Sequence, residues 1–249
     1  MDQRARNGYH AEVDTRNRLL AALPAEDVDA LTTASEPVDL QLHTRLIEND
    51  APIRDVYFPQ GALCSHVITM ATGETSEIGL VGIDGLVPVA GMFADARAVG
   101  DVVVQAPGPA LRLNAETFRD LCRSRPSLRH VVDAYANAYI GLAGMNAACN
   151  ARHRADQRLA RWLLLSNDRS GRTTFPYTHE YLAFMLAVRR ATVTEIAQRL
   201  RDEGGIDYNK GWVEILDRAH LEQVVCACYP AMRNLTDELY TTAKVVAVN

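Results

Sequence analysis

Residues 178–203 read THEYLAFMLAVRRATVTEIAQRLRDE, and the rest of the chain is understood from this stretch outward. Tyr181, Leu182, Met185 and Leu186 fall at the spacing that places apolar groups on one face of a helix. Thr178 offers a hydroxyl to cap that helix. Ala187-Val188 forms a short connection. A second apolar stripe runs through Val193, Ile196, Ala197 and Leu200, and the pair Gly204-Gly205 ends it. Arg189, Arg190, Thr192, Thr194 and Glu195 stand at the polar start of the second helix. The spacing predicts a helix-turn-helix whose second helix presents groups able to read base edges. An ordinary helical hairpin has the same periodicity, so the flanking sequence has to decide between them.

Downstream, Ile206-Asp207-Tyr208 and Trp212-Val213-Glu214-Ile215 flank Asn209-Lys210-Gly211. The three middle residues tolerate positive φ, so the segment reads as a β-hairpin. A helix-turn-helix followed directly by such a hairpin is a winged helix. Upstream, Arg152, Arg154, Arg158, Arg161, Arg169 and Arg172 face only Asp156 and Asp168. This basic lead-in is expected to meet phosphates. Farther back, Leu128, Val131, Tyr135, Ala138, Leu142, Met145 and Cys149 recur at steps of three and four, and predict one long helix. Few charges interrupt it between Ala134 and Ala148. The stripe fits either a core helix or the seam of a two-helix dimer, and Val131, Tyr135, Ala138, Leu142 and Met145 are read as that seam between two copies of the chain.

The N-terminal half has a different character. Asn17 to Leu31 suggests two short helical pieces around Pro24. From Pro37 to Leu113 come short apolar runs bounded by Gly, Pro, Asp or Asn: Val38–Leu42, Val56–Pro59, Leu63–Met70, Ser76–Val81, Leu86–Val89, Val102–Val104 and Ala110–Leu113. Strands of this length and spacing predict an antiparallel jelly-roll or barrel. Asn114 caps the helix that follows, and Pro126 separates it from the long one. The expected class is α+β: a flexible tail (1–16), a β-roll (17–126), a dimerisation helix and hinge (127–166), a winged helix (167–235) and a C-terminal tail (236–249).

Composition sets the outer limits. The 249 residues carry 48% hydrophobic and 23% charged side chains, an ordinary globular balance. No apolar run is long enough to span a bilayer, and the N-terminus lacks the apolar core of a signal peptide, so a cytoplasmic protein with no membrane partner is expected. The five cysteines are Cys64, Cys122, Cys149, Cys226 and Cys228. Their odd number and the absence of a CxxC pair argue for reduced thiols. Cys226-x-Cys228 reads as small apolar side chains, His66 and His130 read as satisfied core histidines, and neither metal nor cofactor is expected. The net charge of −5 does not itself point to nucleic acid; the clustering of arginines does. Paired catalytic carboxylates, a nucleophile elbow, a phosphate-binding P-loop and HExxH are all missing, so no enzyme is expected.

In this order of elements the chain resembles the Crp/Fnr-type bacterial transcription regulators, from about Asn17 to Tyr229. Arg189 to Ile196 falls where that family carries its recognition helix, with Arg190, Thr192 and Val193 matching its Arg-x-Thr-Val pattern. Tyr57-Phe58-Pro59-x-Gly61 and Gly82-Ile83-Asp84-Gly85 are similar to turns of its cyclic-nucleotide-binding-like β-roll. The resemblance implies double-stranded DNA, a second copy of the chain and RNA polymerase as partners, with sites that are imperfect palindromes. Thr178, Arg189, Arg190, Thr192, Thr194, Glu195, Gln198, Arg199 and Lys210 are the expected DNA contacts. Arg190 is the base reader; Arg189 and Arg199 are either phosphate contacts or solvated charges. Ala191 replaces a base-reading glutamate of well-studied relatives, so a different target sequence is expected. Gly82, Gly85, Val89 and Arg97 form the candidate effector pocket. Val89 stands where cyclic-nucleotide binders carry the glutamate that holds the ribose hydroxyl. Losing that partner costs on the order of 1–3 kcal/mol, so cyclic AMP is not the expected ligand, and the effector is left open. A sensory or protein-interaction module of the same fold without DNA binding is the alternative.

Overall fold

The computed structural model describes residues 16–93 and 96–247; all but the last residue of the expected N-terminal tail lies outside them. A 3-10 turn at Leu20–Ala22 and helix α1 (Ala25–Ala34) sit on either side of Pro24. Seven strands follow: β1 (Glu36–Leu40), β2 (Arg45–Ile47), β3 (Asp55–Pro59), β4 (Leu63–Thr69), β5 (Thr75–Val81), β6 (Asp101–Ala106) and β7 (Gly108–Asn114). They form two antiparallel sheets, ordered β1-β7-β3 and β2-β6-β4-β5. Each strand is short because turn formers bound it, and the apolar residues between the turns supply a shared core. Phe58 and Phe118, both fully buried, meet edge to face with ring centroids 5.9 Å apart within that core. Two expectations need correction. Leu86–Val89 is no strand: Val87 makes a single bridge to Tyr57, and Val89–Met92 winds into a 3-10 turn. β2 was not expected, because its three residues carry too little pattern to read.

Asn114 caps helix α2 (Ala115–Ser124), its side-chain oxygen accepting from the amides of Glu116 and Thr117 at 3.0 and 3.2 Å. Pro126 opens helix α3 (Pro126–Arg152), the longest in the chain. Val131, Tyr135 and Ala138 are buried within the protein's own fold, with Leu142 and Met145 half-buried beside them. The seam assigned to these five is thus already covered. Strand β5 and the C-terminal helix α8 (Cys228–Ala247) pack against α3, and its free face is a different one. Gly141 permits the approach of α8, since a Cβ there would lie 3.0 Å from a methyl of Leu235.

Helix α4 (Ala155–Ser170) ends at Gly171, which takes the left-handed conformation with φ 70°. The basic lead-in does not form a phosphate-facing row. Arg158, Arg161 and Arg169 are buried, their guanidiniums serving the interior: Arg158 donates to the Leu186 carbonyl at 2.8 Å, and Arg169 pairs with Asp84 at 2.8 Å. Helices α5 (His179–Leu186) and α6 (Arg190–Asp202) follow, then a small sheet ordered β8-β10-β9, built from β8 (Thr174–Phe175), β9 (Ile206–Asn209) and β10 (Trp212–Ile215). Helix α7 (Arg218–Val224) leads into α8. The expected C-terminal tail is, through residue 247, the continuation of α8. Tyr240 on that helix is buried and donates its hydroxyl proton to the Asp84 carbonyl in the β-roll. Arg18 and Asp237 form an ion pair at 2.7 Å. Cys226 and Cys228 also depart from their expected role as bystanders: with Cys149 and His153 they bring four potential ligand atoms within 4.8 Å of one another. Among the described residues, no helix is long and apolar enough to cross a membrane.

Candidate nucleic-acid interface

The helix-turn-helix forms from local signals. Thr178 caps α5, accepting from the Tyr181 amide at 3.1 Å, and Ala187 ends it in the left-handed conformation with φ 50°. The chain then needs only Val188 and Arg189 before α6 begins. Val193, Ile196, Ala197 and Leu200 bury the inner face of α6 against Leu182, Met185 and Leu186 of α5. That pattern leaves Arg190, Ala191, Thr194, Glu195 and Gln198 exposed on the opposite face, with Thr192 half-buried. Lys210 and Gly211 take φ values of 48° and 84°, the two left-handed residues of a tight hairpin that joins β9 to β10. Lys210 lies exposed at its tip.

The structure separates the predicted contacts by what already holds them. Arg199 pairs with Asp156 at 2.6 Å, and Gln198 donates to Asp202 at 2.7 Å. The Thr194 hydroxyl lies 3.0 Å from His179 Nδ1. By contrast, the side chains of Arg189 and Arg190 make no hydrogen bond or ion pair among the described residues, and no side chain caps the start of α6. The first amides of α6 and two unpaired guanidiniums therefore point outward together. Their summed field favours an anion.

His179 and Tyr208 were missed from the sequence. Their rings stack at 4.0 Å, and the Tyr208 hydroxyl accepts from the His179 amide at 3.0 Å. They tie the wing to α5, while Thr194 ties α5 to α6. Burial lowers the His179 pKa, and the nearby Arg190 charge lowers it further. These residues lie 15 and 29 positions apart along the chain, a separation that no local pattern marks.

The four residues assigned to an effector pocket are not gathered around one. A Cβ on Gly82 would meet the Arg169 carbonyl oxygen at 2.1 Å, and one on Gly85 would meet the Tyr135 hydroxyl at 2.1 Å. Both glycines admit helices α4 and α3 to the β-roll. Val89 packs against the β-roll core, and Arg97 is an exposed partner of Asp50 at 2.6 Å. His66 is hydrogen-bonded as expected, its Nδ1 lying 2.8 Å from the Tyr139 hydroxyl. His130 is exposed, not core.

Residues 157–224 match the family model of the Crp-like helix-turn-helix domain. Comparison with curated proteins gives no significant match. Among solved structures, FixK2 from Bradyrhizobium japonicum is similar with a TM-score of 0.65 at 12% identity, over 78% of this chain and 98% of that one. The c-di-GMP responsive global regulator CLP of Xanthomonas campestris gives 0.62 at 12% identity, over 78% and 100%. A Crp/Fnr-family transcriptional regulator from Thermus thermophilus gives 0.56 at 18% identity, over 76% and 97%. At such identities the likeness establishes architecture alone. The chain has the fold of the Crp/Fnr-type regulators and carries a Crp-like helix-turn-helix domain at residues 157–224.

Proposed function

We propose that the protein is a sequence-specific DNA-binding regulator of transcription that acts in the cytoplasm as a homodimer on a two-fold operator. The observation that carries this reading is the start of α6, where Arg189, Arg190 and uncapped amides face solvent on a helix held rigidly from beneath. Arg190 is the base reader, because a guanidinium pairs bidentately with O6 and N7 of guanine. Glu195 accepts from cytosine N4. Arg189, the helix amides and Lys210 at the wing tip hold phosphates. Arg199 contributes less, since binding DNA would cost it Asp156.

The dimer seam shifts to the open face of α3. Asp133, Asn137, Ile140, Gly144, Ala147 and Ala151 are exposed at alternating steps of four and three, and Ile140 is 71% exposed. A two-fold pairing along this stripe would set the two α6 helices toward successive major grooves, about 34–36 Å apart. The β-roll does not take cyclic AMP in this reading: Val89 brings no carboxylate, and Arg97 is held at the surface by Asp50.

A titration on DNA from the protein's own promoter tests the assignment. Arg190→Ala should weaken specific binding by about 1–3 kcal/mol and relax preference at one base pair per half-site, while Arg199→Ala should do less. Equal affinity of wild type and Arg190→Ala for both specific and random DNA would overturn the Arg190 assignment, and a wild type that shifts no DNA fragment would favour the interaction module without DNA binding.

A further inference from the structure

Two pairs of residues far apart in the chain converge where α3 ends and α8 begins. Cys149 lies in the last turn of α3, and His153, the residue that caps its C-terminus, hydrogen-bonds its amide to the Cys149 carbonyl. Cys226 and Cys228 stand at the start of α8, one just before the helix and one in its first turn. Cys149 Sγ lies 3.5 Å from Cys226 Sγ, and Cys228 Sγ lies 3.5 Å from His153 Nδ1. Zinc–sulfur and zinc–nitrogen bonds of about 2.3 and 2.05 Å at tetrahedral angles require ligand separations of about 3.8 Å (S···S) and 3.5 Å (S···N). The S···N contact already has that length, and the S···S contact is about 0.3 Å short of it. All four ligand atoms lie within 4.8 Å of one another, so no pair has to close by more than about 1.3 Å. Cys149 and Cys226 are buried, whereas His153 and Cys228 are half-exposed, which leaves a solvent route for an ion.

The surroundings supply an independent sign. Arg158 and Arg161 are buried beside this cluster; Arg161 bears electrostatically on Cys149 and Cys228, and Arg158 on Cys149. No carboxylate hydrogen-bonds to either among the described residues; Glu77 acts on Arg161 only through space. Each Nε is buried without a partner, and Arg161 Nη1 finds only the Met232 sulfur, at 3.7 Å. Buried guanidiniums left this way lack an anion. Three thiolates and a neutral imidazole around a divalent ion carry one net negative charge, which offsets one of the two guanidinium charges.

We propose that Cys149, His153, Cys226 and Cys228 form a closed, four-ligand zinc site that joins the end of α3 to the start of α8. On binding, the three thiol protons leave to solvent and the ion takes three sulfurs and one nitrogen, with no position open for water, as in a structural site. The clip spans 77 residues between Cys149 and Cys226, and the whole of α5, α6 and the wing lies inside that span. Its role is to hold the base of the winged helix in one orientation. This assignment does not depend on the DNA-binding reading.

The full chain, purified reduced and without an affinity tag that binds metal, should carry about one zinc per chain by elemental mass spectrometry. Cys149→Ser and Cys226→Ser should lose it. Cys122→Ser, a buried cysteine outside the cluster, should keep it. Cobalt in place of zinc in the wild type should give the intense ligand-field bands of a tetrahedral site with a thiolate-to-metal charge-transfer band, and this reading stands even where a serine variant fails to fold. A metal-free reduced protein that shows no such bands with cobalt would overturn the proposal. So would equal loss of metal in Cys122→Ser.

Discussion

Glu77 sits on β5, yet three parts of the molecule meet on it. Its buried carboxylate accepts from Ser65 on β4 and from Trp162 Nε1 of α4 at 3.1 and 3.2 Å, while its backbone carbonyl accepts from Asn146 of α3 at 2.7 Å. Burial raises its pKa, and the donors oppose that rise. His66, next to Ser65 along β4, illustrates how burial becomes a pH response. Burial lowers its pKa below the ordinary 6.5, with the Val99 carbonyl and Asp101 acting in the opposite sense. A histidine lowered on folding binds fewer protons in the native state than in the unfolded one. Its contribution is therefore fully present above 6.5 and is lost as pH falls toward the folded value. The Tm of the wild type should decline between about pH 6.5 and 5, and that decline should be smaller in His66→Asn. His179, lowered in the same direction, supplies a remainder in both proteins. Parallel Tm curves for the two proteins would exclude His66 as a source. The sequence marks His66 as a satisfied interior residue, but it carries no sign that the partner is Tyr139, 73 positions away.

Between elements, contact is made by residues that look like ordinary turn formers. Asp84 does serve its turn, accepting from the Gly82 amide at 2.8 Å. Its other oxygen, though, faces Arg169 of α4, and both side chains are about nine-tenths buried. Asp84→Ala would strand the guanidinium and should destabilise the protein by about 3–5 kcal/mol in denaturant unfolding, whereas replacing both partners by leucine should cost far less. Equal losses for the single and double variants would show that the pair acts by packing alone. This contrast explains what could be read from the chain. Thr178, the apolar stripe from Val193 to Leu200, and Lys210-Gly211 report structure within a few residues of themselves, so helix, turn, helix and wing were legible. The stripe from Val131 to Met145 reports only that one face of α3 is apolar. Whether α8, β5 or a second chain covers that face depends on tertiary placement, and the arginines of α4 misled for the same reason: charge is visible in a sequence, burial is not.

For the molecule as a whole, assembly and tethering are separate matters. If the open face of α3 is the seam, Ile140→Asp puts a charge at its middle. The variant should run as a monomer in light scattering and lose roughly 100-fold or more in operator affinity, since each half-site must then be held alone. An unchanged dimer would place the seam elsewhere. The path of α8 has a consequence of another kind. The winged helix leaves the β-roll by way of α3 and α4, and the chain returns along α8 until Asp237 meets Arg18 and Tyr240 meets Asp84. Topologically it is an insertion, with both ends of the inserted segment moored on the same body. A segment moored by one strand can swivel about it; one moored by two transmits torque. The inserted segment also packs directly on the β-roll, where Leu63, Val67, Leu80 and Ala106 share one core with α4, α5 and α6, so any twist imposed on the β-roll would reach α6 as rotation rather than dissipate at a joint.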